Sequence, residues 1–275
     1  MSRLIHLSDL HFGTVDPQLR APLLEQIAEL NPALVAVSGD LTQRARHRQF
    51  AEAQAFLAQI PAPVLSVPGN HDTPLDNLFV RFIRPFGRYK RHICPDLEPV
   101  YEDDTMIVIG VNTVNRFAWQ SGKIGRGRLA RLAWRLRGAH GKLRVAVLHH
   151  PLEHAPGVDK RLMRGADQAL AALSRCGADV VLSGHLHHAV AAPSSAVPDV
   201  LFVQAGTGLS TRLRNGQRNS FNQIDAIGDD LRVVTWTAAD TGEPRFVPGE
   251  DSLWTCHDGS WAQRSDTTPK RRALR

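Results

Sequence analysis

Asn70, His71 and Asp72 stand in consecutive positions just past a short apolar run, residues 63–67, that reads as a buried strand. An amide oxygen ligates a metal without adding charge, and an imidazole either ligates or moves protons. Gly69 is expected to supply the sharp turn that brings the three side chains into one small volume. Alone, the stretch reads equally well as a polar turn. The other strand ends decide between the two readings.

Residues 3–8 form an apolar strand pattern that ends in Asp9-Leu10-His11, where spacing of two turns both side chains the same way in extended chain. Residues 33–38 end in Gly39-Asp40, a carboxylate whose two oxygens could bridge two ions. The run 106–111 ends in Asn112-Thr113, and 143–148 in His149-His150-Pro151. The run 179–183 ends in Gly184-His185-Leu186-His187-His188, which repeats the spacing of Asp9 and His11. Any one cluster could be a surface turn. Successive apolar strands that all end in Asp, His or Asn, with little such clustering elsewhere, point to a metal centre of nitrogen and oxygen donors. His6, inside the first strand, is expected to be a hydrogen-bonded core histidine. Asp72 is read either as a group orienting a neighbouring imidazole or as a turn carboxylate.

The elements that must position these residues are legible in outline. Residues 17–30 read as a helix, with Pro17 in its first turn and Leu19, Leu23, Ile27 and Leu30 at helical spacing. Residues 49–60 read as a second helix, and 127–139 as a basic amphipathic one packing Leu129, Leu132, Trp134 and Leu136 on a sheet. Strands alternating with helices imply crossover connections, which gather ligand sites outside the carboxyl ends of the strands. Segment 75–91 carries Arg81, Arg84, Arg88, Lys90 and Arg91 among Phe79, Phe82, Phe86 and Tyr89. It is read as a solvated basic helix face over buried aromatics, in preference to an anion-binding cap. A continuous helix would align Arg81, Arg84 and Arg88. A further strand at 200–204 and a hairpin at 221–237 lead to the expectation that the C-terminal half contributes a second sheet. One domain is expected over 1–262, followed by a polar, basic, disordered tail at 263–275.

Composition narrows the function classes. The chain has 275 residues, 43% hydrophobic and 22% charged, which suits one large globular core. No run is long enough to span a bilayer and no signal peptide is read, so a cytoplasmic protein without a membrane partner is expected. Three cysteines lie far apart, which excludes a disulfide framework or a thiolate metal site. The net charge of +6 favours anionic ligands.

Taken in order over residues 3–188, D-x-H, G-D, G-N-H-D, H-H-P and G-H-L-H resemble the calcineurin-like metallophosphoesterase superfamily. The run Gly39-Asp40-Leu41-Thr42-Gln43-Arg44 is most similar to bacterial single-domain phosphodiesterases of the class III cyclic-nucleotide type. The resemblance implies an α/β fold: a four-layer sandwich of two mixed sheets flanked by helices, with a dinuclear metal site at the strand C-terminal rim. It implies that Asp9, His11, Asp40 and His187 hold one divalent ion and Asp40, Asn70, His149 and His185 the other, Asp40 bridging. His149 is taken over His150 on the family pattern. His71 is implied as the catalytic histidine that is not a ligand. The protein Ser/Thr phosphatases carry an Asp-Arg pair where Gln43 and Arg44 stand here, which disfavours that activity. The implied reaction is hydrolysis of a small, cyclic-nucleotide-like phosphodiester by a hydroxide shared between two ions (Mn, Fe, Zn or Co), with His71 assisting the leaving group. A nuclease or pyrophosphatase is the alternative, ahead of a non-catalytic scaffold. Nucleic acid is a less favoured partner than a small substrate.

Overall fold

Apolar side chains on both faces of the first strands dictate the layers. In β1 (Ser2–Leu7), Ile5 and Leu7 face one side, while Leu4 and His6 face the other. β2 (Leu34–Val37) repeats this: Val35 and Val37 join Ile5 and Leu7, and Leu34 and Ala36 join Leu4. Strands buried on both faces need a cover on each side. The computed structural model, which describes residues 2–154, 162–213 and 216–264, supplies both covers.

β3 (Val64–Ser66) completes a parallel trio with β1 and β2. The crossovers are α1 (Arg20–Leu30) and α2 (His47–Leu57), whose Leu23, Ile27, Phe50 and Phe56 cover the outer face. Two short helices follow, α3 (Leu78–Ile83) and α4 (Gly87–His92). The second sheet is built from β4 (Val100–Glu102), β5 (Met106–Val111), β6 (Leu143–Leu148), β7 (Val180–Ser183), β8 (Val190–Pro193) and β9 (Leu201–Gln204). Its outer face packs Ile107, Ile109 and Val181 against α5 (Arg126–Arg137) and α6 (Ala166–Arg175). Val108, Val145, Val147, Val180 and Leu182 meet Leu4, Leu34 and Ala36 between the sheets. β10 (Ser220–Ile227), β11 (Asp230–Ala238), β12 (Phe246–His257) and β13 (Ser260–Gln263) finish the described chain.

The strand orders are β13-β12-β11-β10-β1-β2-β3 and β4-β5-β6-β7-β9-β8. Both sheets are mixed, and helices flank them in a four-layer α/β sandwich. The second sheet therefore comes from the middle of the chain. Of the segments expected to build it, the strand at 200–204 does join it as β9, whereas the hairpin at 221–237 extends the first sheet, because β10 pairs antiparallel with β1 from Ser2↔Ala226 to His6↔Asn222. β13 reaches Gln263, paired with Trp254, and Arg264 N donates to Leu253 O. The expected tail therefore begins inside the last strand, and residues 265–275 lie outside the described chain.

Segment 75–91 also differs from expectation. Arg84 to Phe86 interrupt it, so no single helix aligns the three arginines. In α3 Arg81 is 3% exposed while Phe79 is 73% exposed, the reverse of a basic face over buried aromatics; in α4 the expectation holds, with Lys90 and Arg91 exposed and Tyr89 buried.

The parallel strands β1, β2, β3, β5, β6, β7 and β9 all point to one rim, and backbone hydrogen bonds stitch the loops there. Asp9 N donates to Gly39 O (3.1 Å), His11 N to Asp40 O (2.9 Å) and Gly184 N to His149 O (3.1 Å). Asp72 joins two loops: its carboxylate accepts from Gly69 N (2.9 Å), Thr42 N (2.9 Å), Leu41 N (3.2 Å) and Thr42 Oγ1 (3.0 Å). Burial and the nearby Asp40 carboxylate push its carboxyl up to about 6, against the donors that lower it. Asp72 touches no imidazole by any of these bonds, so its task is to hold the ends of β2 and β3 together. Truncating it leaves three buried N–H groups without an acceptor. We expect Asp72→Ala to lower stability by roughly 2–4 kcal/mol and Asp72→Asn by less, read from urea unfolding in chelator. An unchanged midpoint in Asp72→Ala would show that the two loops hold without it.

Candidate metal centre

The rim loops deliver their side chains through backbone that non-glycine residues rarely adopt. Asp9, His11, Asp40, His185 and His187 have φ of 53°, 49°, 50°, 72° and 61°, all left-handed. The D-x-H and H-x-H pairs converge through these turns and not through extended chain, as their spacing had suggested. Such placements cost of order 1 kcal/mol or more each and persist only where the surroundings hold them. Glycine serves here by lacking a Cβ. Gly69 is extended (φ −101°), so the expected sharp turn at it is absent; a Cβ there would instead collide with Asp40. A Cβ on Gly39 would lie 2.8 Å from both His149 Nδ1 and Gly69 N.

Seven predicted donors come together. Asp9 Oδ2 accepts from Ser8 Oγ (2.7 Å) and His185 N (3.0 Å), which leaves Oδ1 buried without a hydrogen bond, 3.3 Å from His187 Nε2 and 3.6 Å from His11 Nε2. Asp40 Oδ1 accepts from His71 N (2.8 Å). Its Oδ2 alone therefore stands between the two histidine groups, 4.0 Å from His11 Nε2 and 3.3 Å from His149 Nε2. His185 packs its ring 5.2 Å from that of His149. Asn70 Oδ1 lies 3.1 Å from His149 Nε2.

The donor set fits divalent cations. His149 Nδ1 donates to Ser38 O (2.8 Å), so in the neutral ring Nε2 is a lone pair facing the Asp40 and Asn70 oxygens. Three acceptors that close require positive charge between them. Burial opposes a positive charge on the ring, but Asp40 and Asp9 outweigh it and push the His149 imidazole up to about 9. Burial is likewise outweighed at Asp9, where His187 and His11 hold the carboxyl well below the usual range. His11 has neither ring nitrogen hydrogen-bonded, although it is buried. His187 Nδ1 is paired with Thr207 Oγ1 (2.8 Å), which orients its Nε2 toward Asp9.

His71 sits at the edge of this cluster, its ring 4.9 Å from His11, with Nδ1 donating to Gln43 O (2.8 Å). His150 Nδ1 pairs with Thr113 Oγ1 (2.8 Å) while its buried Nε2 has no hydrogen bond, and a triad of His149, His150 and His185 could also surround an ion. His6 is the expected core histidine, 2.9 Å from Ser38 Oγ, and burial pushes its pKa down to about 3. Ser38, Gln43, Thr207 and Arg212 were given no role at the site in the sequence, Gln43 having been named only where the protein phosphatases carry Asp. The first three orient rings through a carbonyl or hydroxyl, and Arg212 donates to Gln43 Oε1 (3.0 Å). Proximity to the strand ends is the only sequence signal they carry.

If Asp40 Oδ2 serves both ions, Asp40→Ala should reduce bound metal at both positions, whereas Asn70→Ala should chiefly empty one. Elemental analysis after equilibration with Mn tests this; full occupancy in Asp40→Ala would remove Asp40 from the bridging position.

Comparison with known proteins places this rim. A probable cyclic nucleotide phosphodiesterase of Synechococcus sp. is 26% identical over 94% of this chain and 89% of its own. The glycerophosphodiester phosphodiesterase GpdQ of Enterobacter lignolyticus is 30% identical over 105 residues, so the match spans 34% of each chain, about a third of that relative's length. A dimetal phosphatase from Danio rerio shares the fold with a TM-score of 0.65 at 13% identity, covering 92% of this chain and 98% of that one. Residues 2–189 match the calcineurin-like phosphoesterase family. That span takes in every rim cluster from Asp9 to His187, and the chain belongs to the calcineurin-like phosphoesterase family of metal-dependent hydrolases.

Proposed function

We propose that the protein hydrolyses a small phosphodiester with two divalent cations. Asp9, His11, Asp40 and His187 would hold the first, and Asp40, Asn70, His149 and His185 the second. The observation that carries this reading is the convergence of Asp9 Oδ1, Asp40 Oδ2 and the Nε2 atoms of His11, His149 and His187 within one buried volume. Bound there, two divalent cations supply Lewis acidity toward a phosphoryl oxygen and toward water. The names of the two curated relatives support a diester substrate, one glycerol-based and one cyclic.

The remaining work falls to this chain's own groups. The Gln43 carbonyl fixes the His71 ring through Nδ1, which leaves Nε2 to face the substrate. Protonated at Nε2, His71 gives its proton to the departing oxygen. Burial, His11 and Arg212 lower its pKa, against Asp40 and the Gln43 carbonyl, so that proton is held weakly and readily transferred. Arg212 is close enough to lower the pKa of both His11 and His71, so its guanidinium is available to a non-bridging phosphate oxygen. Arg81, which a continuous helix would have aligned with Arg84 and Arg88, is turned inward and takes no such part.

His71→Ala should bind metals normally and lose ~10²–10⁴-fold in turnover on alkyl diesters, the range for removing a positioned acid. The loss should shrink on bis(p-nitrophenyl) phosphate, whose leaving group needs no proton. An equal loss across leaving groups would assign His71 to charge stabilisation or structure instead.

The substrate reading is tested by assaying cyclic nucleotides, glycerophosphodiesters and short DNA with Mn. Small diesters should be turned over with the higher kcat/KM, and Arg212→Ala should raise their KM about ten-fold, as expected for one charged hydrogen bond. Preference for DNA would replace this reading with a nuclease.

A further inference from the structure

α3 is built inside out. Leu78, Phe79, Phe82 and Ile83 lie on its outward face, and all four are exposed. Its one charged residue, Arg81, points inward and is 3% exposed. Among the described residues no carboxylate pairs with that guanidinium. It is satisfied by neutral acceptors: Arg116 O (3.0 Å), Ala118 O (2.7 Å), Thr73 Oγ1 (2.7 Å) and Pro74 O (3.4 Å). A helix this short would hide more apolar surface by rolling over. The four bonds to Arg81 prevent it.

The same bonds fasten α3 to the loop 115–119, which is apolar at its tip. Phe117 is 72% and Trp119 65% exposed, and Phe117 stacks on Phe82 at 5.7 Å. Arg116 Nη1 closes the joint by donating to Phe82 O (2.9 Å). Six large exposed apolar side chains thus lie on α3 and the loop fastened to it, more than a solvated surface ordinarily carries.

The patch is set in positive charge. Residues 77–95 contain no acidic side chain, and none lies between Asp104 and Glu153. Arg84 and Arg116 are exposed beside it, and neither is in an ion pair among the described residues. Apolar residues rimmed by cations match the boundary of an anionic bilayer, where acyl chains lie beneath acidic headgroups. A second copy of this chain would set like charges face to face. Nucleic acid would answer the charge and the rings, but it offers nothing to Leu78 and Ile83.

We propose that α3 and the loop 115–119 seat this protein on an anionic lipid surface. The absence of a membrane partner, expected from the lack of a spanning run, does not extend to such a surface, because peripheral contact needs no long apolar stretch. The patch adjoins the metal rim: a Cβ on Gly122, a few residues past Trp119, would lie 2.6 Å from His150 Cγ.

Sedimentation with vesicles tests the proposal. The protein should pellet with phosphatidylcholine mixed with an equal part of phosphatidylglycerol at least ~10-fold more than with phosphatidylcholine alone, given the weight of several basic residues near an anionic surface. High salt should reduce the difference. Trp119 emission should shift to the blue on binding, and Trp119→Phe should remove most of that shift. The double variant Phe79→Ser, Phe117→Ser alters two exposed rings outside the metal site. It should keep the wild-type thermal midpoint and lose vesicle binding about ten-fold or more. Absence of binding to the mixed vesicles would overturn the proposal, as would binding that survives the double variant or a blue shift that survives Trp119→Phe. Concentration-dependent dimers, or single-stranded DNA binding, abolished by the double variant while vesicles fail to bind would assign the patch to that partner instead.

Discussion

Two buried carboxylates, Asp9 and Asp40, are each divided between two tasks, and the rim is organised around that division. One oxygen of each is tied to the protein: Asp9 Oδ2 to Ser8 Oγ and His185 N, Asp40 Oδ1 to His71 N. The other is turned toward imidazole nitrogens with no hydrogen bond of its own at Asp9 Oδ1. Burying a carboxylate is costly unless its charge is answered. The protein answers half of each and leaves the other half to positive charge between the loops. The left-handed turns at Asp9, His11, Asp40, His185 and His187 follow, because the main chain must bring these groups closer than extended strand ends allow.

The sandwich and the donor set were readable because both depend on residue type at a strand end. Ile5, Leu7, Val35 and Val37 alternate with Leu4, Leu34 and Ala36, so two covered faces follow from pattern alone. The hairpin at 221–237 was assigned to the wrong sheet because the choice of neighbour is a long-range event. Nothing local in Ser220–Ile227 states that it will pair with β1. β12 escaped for another reason: Pro248, Gly249, Glu250 and Asp251 interrupt its pattern, and much of the strand is solvated.

At the site, ligand types were legible and their orientation was not. His149 and His150 are adjacent and chemically identical, and only their partners separate them. The Ser38 carbonyl holds one with its Nε2 facing Asp40, and the Thr113 hydroxyl holds the other by its Nδ1. Asp72 shows the same limit. It reads either as a group orienting an imidazole or as a turn carboxylate, and three backbone N–H groups and a hydroxyl surround it, so it fixes loops. A carboxylate is committed by the donors around it, and most of these donors come from a loop some thirty residues away in sequence.

Arg81 extends that reasoning to the surface. In Leu78-Phe79-Val80-Arg81-Phe82-Ile83 the ordinary expectation places the arginine in water and the rings inside. The opposite arrangement persists because the surrounding loops offer carbonyls and a hydroxyl at the spacing of a guanidinium. Thr73, one of those acceptors, itself donates to Asn70 O at 2.9 Å. The chain of bonds from Arg81 through Thr73 therefore ends at the backbone of a candidate ligand. A leucine at 81 would suit the hydrophobic pattern and leave three carbonyls and a hydroxyl without a donor. It would free α3 to roll its apolar face inward and release the turn that presents Asn70. One buried arginine thus accounts both for the exposed apolar face and for part of the rigidity of the metal rim.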